Sequence, residues 1–420
     1  MADTPQTPDD PRQAHALELL AEAEKLTVPG DANSLGRASA NAESAVNILA
    51  AVVAATPTPE ARNLLAAAWM RRAIVLLVFG SEQSLQESIR CYDESIRLRR
   101  ALLGTRHPAL VHAHSSALMG RGDAFARLGG EFNLRQALAS YDEGITLFRT
   151  LPVREAPALM ARMIVMHGAR AAVYEALRTP ETVVAAMKEH AEIATWIRGT
   201  PAEKHPEFRL HLGASLANRA NLALIAGTPV CDPAQARIFG AEAIAAVAGL
   251  ERESPVAAEI AIKARRTISR AVTAQIEALG TGVAAPREFL NTMTDAADEA
   301  LALARYWETK GVREFRPIAI ELFGLGATLY VRHQTHFFPE YVLDNLDPEQ
   351  SPDAFRECPE MLGLAASLVG DAIRHFERDR VVTTETKGVE RQIETLRALR
   401  HASERLGALR PQTTGSEERR

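Results

Sequence analysis

Ser88-Ile-Arg-Cys-Tyr-Asp-Glu-Ser-Ile96 aligns without a gap on Ala137-Leu-Ala-Ser-Tyr-Asp-Glu-Gly-Ile145, 49 residues further along the chain. The same interval separates prolines 59, 108, 157, 206 and 255, and Pro11 lies 48 before the first of them. Small residues keep the step at Ala73, Gly122, Ala171 and Ala220, and Gly80, Gly129 and Gly227 follow seven positions after three of these. Coincidence of prolines, small residues and turn glycines at one offset identifies an internal repeat.

Each unit reads as helix, short turn, helix. Proline is tolerated where a helix begins, because the first N–H groups have no intrahelical acceptor. Asp10, Thr58 and Ser254 stand before three of the prolines as N-caps. Apolar residues recur at three- and four-residue steps over 59–79 and 85–103, with no sustained period-two alternation, so strands are not expected. The glycines mark where helices stop. A single hairpin cannot bury its own apolar face, and stacked neighbours can.

The series Ala73, Gly80, Ser88, Tyr92, Ser95, repeated as Gly122, Gly129, Ala137, Tyr141, Gly144, resembles the tetratricopeptide repeat (TPR). The third set, Ala171, Arg178, Ala186, His190, lacks the glycine and the aromatic, and the fourth, Ala220, Gly227, Ala236, Gly240, Ala243, is shifted by one residue. The ordinary repeat has about 34 residues. The longer step, with Leu103-Gly-Thr-Arg-His-Pro108 and Lys204-His-Pro206 leading into first helices, is closest in style to kinesin-light-chain-type repeats. The resemblance implies an all-α, α-α superhelix (a TPR-like solenoid) of about seven helical hairpins with a C-terminal capping helix.

The expected organisation is a disordered start over 1–10, the hairpin array over 11–310, an irregular last hairpin with capping helices over 311–410, and a disordered tail over 411–420. Segment 336–359 carries Phe337, Phe338, Tyr341 and four prolines. It reads as a cap over the last hairpin or as a partner-contacting insertion.

Composition narrows the functional classes. With 48 basic and 53 acidic side chains the formal charge is −5, which excludes a generally basic nucleic-acid binder. The start of the chain has no basic–apolar signal pattern, and the longest strongly apolar run, 73–79, is far short of the roughly 20 residues that span a bilayer. Cys91, Cys231 and Cys358 form no CxxC pair. A cytoplasmic protein with no membrane or nucleic-acid partner is expected.

No phosphate-loop, nucleophile-elbow, HExxH or GxGxxG pattern is present. His333-Gln-Thr-His336 has an i,i+3 spacing that could bring two imidazoles together, but no third ligand is fixed by spacing. Asp295-Ala-Ala-Asp-Glu299 reads as a solvated helix face. No cofactor and no catalysis are expected.

TPR resemblance implies a partner-binding wall built from the first helix of each hairpin. In this register the wall comprises Met70, Ile74 and Leu77, then Met119, Asp123 and Ala126, then Gly168, Ala172 and Glu175. Ala214, Ala217, Asn221 and Leu224 follow, with Asn218 beside them, and then Lys263, Arg266 and Arg270. The wall is apolar at its N-terminal end and cationic further along. Asparagine can pair with a peptide backbone, and Lys and Arg with carboxylates. The expected function is a non-catalytic protein- or peptide-binding scaffold whose partner presents an acidic segment. A small-ligand sensor or all-helical enzyme centred on 336–359 is the alternative, and a self-assembling structural protein a third reading.

Overall fold

The computed structural model describes Asp10 to Phe315, apart from Arg106 and residues 280–285, together with Ile318 and Leu322. Segment 336–359, His333, His336, Cys358, the capping helices and both terminal tails lie outside the described residues. Every regular element among the described residues is a helix. The chain divides into two compact units between Ala202 and Glu203.

The first unit contains α1 (Pro11–Leu26), α2 (Ala32–Ala55), α3 (Pro59–Phe79), α4 (Glu82–Arg100), α5 (Pro108–Leu128), α6 (Gly130–Phe148), α7 (Pro157–Leu177) and α8 (Pro180–Ile197). These form four hairpins in chain order, and the second helix of each of the first three packs on the first helix of the next. The second unit contains α9 (Pro206–Leu222), α10 (Pro233–Val247), α11 (Pro255–Ala278) and α12 (Arg287–Glu308). Within it α10 packs on both α9 and α11, α11 on α12, and α9 directly on α11. Both units are arrays of α-helical hairpins among the described residues.

The 49-residue step is visible in the helices themselves. α3, α5 and α7 each have 21 residues and each begins on its proline. The expected caps form: Asp10 accepts from the Arg12 N–H at 2.9 Å, Thr58 from Ala61 at 3.1 Å and Ser254 from Ala257 at 3.4 Å. Small residues on α4 let it approach α3 closely. Ser88 Oγ donates to the Ala73 carbonyl at 2.7 Å and Ser95 Oγ to that of Ala66 at 2.8 Å. Tyr92 packs against α5 of the next hairpin and Tyr141 against α5 of its own, both almost wholly buried.

Turn position 178 carries arginine where its counterparts carry glycine. Gly80 and Gly129 have φ of 72° and 66°, and Arg178 adopts φ 56°, the only positive φ outside glycine among the described residues. A side chain in the left-handed region costs about 1–2 kcal/mol, against about 0.5–1 kcal/mol of extra chain entropy for glycine in the unfolded state. Arg178→Gly is therefore expected to stabilise the first unit by about 0.5–1 kcal/mol in urea melts. Arg178→Ala keeps the strained geometry and should give no such gain.

Two expectations are corrected. Gly227 does not end its helix: α9 stops at Leu222, and Gly227 sits beyond it in the loop at φ 76°. The Ala223 carbonyl, which a continued helix would offer to Gly227, instead accepts the N–H of Asp232 at 2.9 Å, while the Asp232 carboxylate caps α10. Segment 73–79 is not the most membrane-like stretch either. α2 is 24 residues long and contains an 18-residue window with a mean hydropathy of 1.3, enough by length and composition to span a bilayer. Here it packs between α1 and α3 and buries Leu35, Ala38, Ala42, Val46 and Leu49.

Candidate functional site

A first helix covered by its own partner and by the preceding hairpin keeps one narrow open stripe. α11 shows this most clearly. Twelve of its residues are buried, and the remainder of its central part, Val256, Glu259, Lys263, Arg266, Arg270 and Thr273, recurs at steps of three or four. On α9 the corresponding stripe is Glu207, His211, Ala214, Asn218 and Asn221. Asn218, Asn221, Lys263 and Arg270 are exposed and Arg266 is half-buried. Because α9 and α11 pack against one another, the structure brings these five residues onto the open faces of two adjacent helices in the second unit.

The cationic character of that surface is moderated by acids the register did not single out. Lys263 Nζ lies 2.5 Å from Glu259 Oε1, one turn earlier on the same stripe. Buried Arg265, on the far side of α11, pairs with Glu299 of α12. Glu299 of the acidic run is thus a tertiary contact, while Asp295 is exposed as a solvated face should be.

In the first unit the wall is more closed than expected. Met70 and Ile74 are half-buried against the cluster of Ala73, Cys91, Tyr92 and Ile96. Met119 retains only 7% exposure, and all residues from His114 to Gly120 are buried. Asp123 accepts a hydrogen bond from the Tyr141 hydroxyl at 2.7 Å, and burial pushes its carboxyl above the ordinary range. Met119 is therefore part of the interior and Asp123 is half-buried, because α5 is crowded along its middle by its neighbours. Leu77 and Ala126 are half-buried. On α7 Gly168 is half-buried, Ala172 is open, and Glu175 is paired with His190 at 2.9 Å.

Two polar groupings escaped the residue-by-residue reading. Where the third and fourth hairpins meet, buried His167 lies 2.8 Å from Glu189, and Arg170 binds both oxygens of Glu189, at 2.9 and 2.8 Å, and Asp142 at 2.5 Å. Burial opposes ionisation of Glu189, yet the His167 hydrogen bond and the Arg170 charge hold its carboxyl below the ordinary value. On α4 and α5, Arg99 is 3% exposed and His114 fully buried, with neither ring nitrogen of His114 hydrogen-bonded among the described residues. The repeat offered a signal for both. One period from Arg99 stands Phe148 and two periods Ile197, while His114 shares its column with Leu65, Met163 and Leu212.

Cys91 is buried, and burial pushes its thiol up to about 12, which makes it a poor nucleophile or ligand. Among the described residues no three His, Cys, Asp or Glu side chains gather as a metal would require.

No family model matches the chain, and no curated protein matches it in sequence. Similar solved structures include the Rap protein complexed with Competence and Sporulation Factor, at 11% identity over 95% of this chain and 98% of that one, TM-score 0.35. The STAND protein with a tetratricopeptide repeat sensor from Pyrococcus horikoshii is similar at 10% identity, over 96% of this chain and 54% of that one, TM-score 0.38. The P58(IPK) TPR domain is similar at 12% identity over 93% and 99%, TM-score 0.19. At TM-scores under 0.5 these likenesses decide neither partner nor activity, and the hairpin architecture rests on the chain's own helices.

Proposed function

We propose that the chain is a non-catalytic, cytoplasmic scaffold that binds a peptide or protein segment along the open stripes of α9 and α11. The observation that supports this reading is the stripe on α11, a helix otherwise buried all round that opens only through Glu259, Lys263, Arg266 and Arg270 at its centre. Rigid stacked helices present such a stripe with little ordering cost on binding. Asn218 and Asn221 supply donors and acceptors for an extended backbone, and Lys263, Arg266 and Arg270 supply cations for an acidic side chain. In the first unit, Met70 and Ile74 offer smaller apolar contacts, while Met119 is buried and Asp123 half-buried and paired with Tyr141.

The test is capture of partners from native extract by the full-length chain, read by mass spectrometry, with Asn221→Ala and Arg270→Glu beside the parent. Both residues are exposed, so melting temperatures should stay within about 1 °C of the parent. The partner recovered by the parent should fall at least about tenfold with Arg270→Glu. Equal recovery by both variants would remove this stripe as the binding site.

A further inference from the structure

We propose that Arg99 anchors a carboxylate presented by a docked acidic segment, which reaches the guanidinium from between α3 and α5 by displacing Met70. A buried guanidinium is normally matched by an acid, because an uncompensated charge away from water is costly. Arg99 has no such match among the described residues. Nη1 donates to Ser95 Oγ at 2.8 Å, and its other approaches, to the Ala113 carbonyl and the Met70 sulfur, are 3.4 and 3.5 Å. Nε reaches Asn63 Oδ1 only at 3.4 Å, and Nη2 donates to no described residue while not being fully shut off from solvent. Burial alone acts on the group, pushing it down to about 10, so it remains charged at neutral pH.

Packing does not explain this cation. The next two hairpins place Phe148 and Ile197 in the same position, both fully buried. The hairpin needs an apolar body here, and a charged head on it is an addition. Nor does a nearby acid await it: Glu143 is bound to Arg100 at 2.6 Å.

The chemistry of the missing partner follows from the fork. Nη1 is held by Ser95, but the Nε–Nη2 edge, with Nε bonded only at 3.4 Å and Nη2 donating to no described residue, matches the two oxygens of a carboxylate. Met70, half-buried on α3 and unbranched, can swing aside at little cost and expose that edge. Only the source of the carboxylate, a docked segment, rests on the scaffold reading. The subsite itself does not.

Thermal melts of the full-length chain in sodium formate, against sodium chloride at equal ionic strength, test the subsite without any partner. Formate should raise the melting temperature in a saturable way in the parent and not in Arg99→Leu, which the apolar residues at 148 and 197 suggest will fold. Met70→Ala, which uncovers the guanidinium, should strengthen the formate effect. Equal formate effects in the parent and Arg99→Leu, or none in either the parent or Met70→Ala, overturn the subsite. A hexa-aspartate peptide with an amidated C-terminus tests the source: it should bind Arg99→Leu at least about tenfold more weakly than the parent. Equal binding, with the formate effect intact, would overturn the docked segment as source and assign the subsite to a free small carboxylate. Loss of partner capture in Asn221→Ala or Arg270→Glu has no bearing on either result, so the scaffold reading and this subsite fail separately.

Discussion

Gly122→Leu should destabilise the first unit by about 1–3 kcal/mol from overpacking alone. A Cβ built on Gly122 lies 2.6 Å from Cε1 and 2.9 Å from Cζ of Tyr141, closer than carbon atoms can approach. The ring has nowhere to go. Tyr141 is 1% exposed and its hydroxyl is held by Asp123 at 2.7 Å. Moving it also strips a half-buried carboxyl of its donor, at about 1 kcal/mol more. Urea denaturation should show a lower midpoint at unchanged slope. Gly168→Ala is the contrasting substitution, because the nearest atom to its added Cβ is Ile193 Cδ1 at 3.9 Å. That change should be neutral or stabilise by about 0.5–1 kcal/mol through helix propensity. Equal losses at both sites would mean that Gly122 has no special part in seating Tyr141.

His114→Leu should have the opposite sign. The imidazole is fully buried and neither ring nitrogen finds a partner among the described residues, an omission worth about 1–3 kcal/mol at neutral pH. Leu65, Met163 and Leu212 occupy its column in other hairpins, so leucine suits the space. Burial pushes the imidazole down to about 4, with Arg100, Arg99 and Arg121 disfavouring its charge and Glu143 favouring it. The folded value lies below the unfolded one of about 6.5, so the unfolded chain takes up the proton first. The stability of the parent is thus full above about pH 6.5 and declines as pH falls toward 4. Leucine should remove up to about 3 kcal/mol of that acid loss. Melts from pH 4 to 8 check this, and parallel curves for parent and variant would show that His114 is not a neutral buried imidazole.

The hairpin fold was readable because its signals are local. Proline at a helix start and Asp, Thr or Ser before it act within one turn, and they do so at Pro11, Pro59 and Pro255. Arg178 was readable only through the step of 49, since its residue type argues against the conformation it adopts. The end of α9 escaped because the competing hydrogen bond comes from Asp232, ten positions beyond Leu222 and outside any helical pattern. The open stripe on α11 agrees with the register at Lys263 and Arg270. Met119 and Asp123 do not, because periodicity gives the direction of a side chain and says nothing of how closely the next helix approaches. Arg99 and His114 were legible in principle: each is a polar residue in an otherwise apolar column, visible only when equivalent positions are compared across hairpins.

On α11 the inward and outward positions hardly overlap. Twelve side chains are committed to neighbours, while Lys263 and Arg270 meet solvent. Substitutions confined to the outward set sit apart from the packed ones, so their energetic effects should be close to independent. Recognition can therefore drift from one ligand to another while the folding signal is inherited unchanged, with natural selection acting on two interleaved alphabets along a single helix.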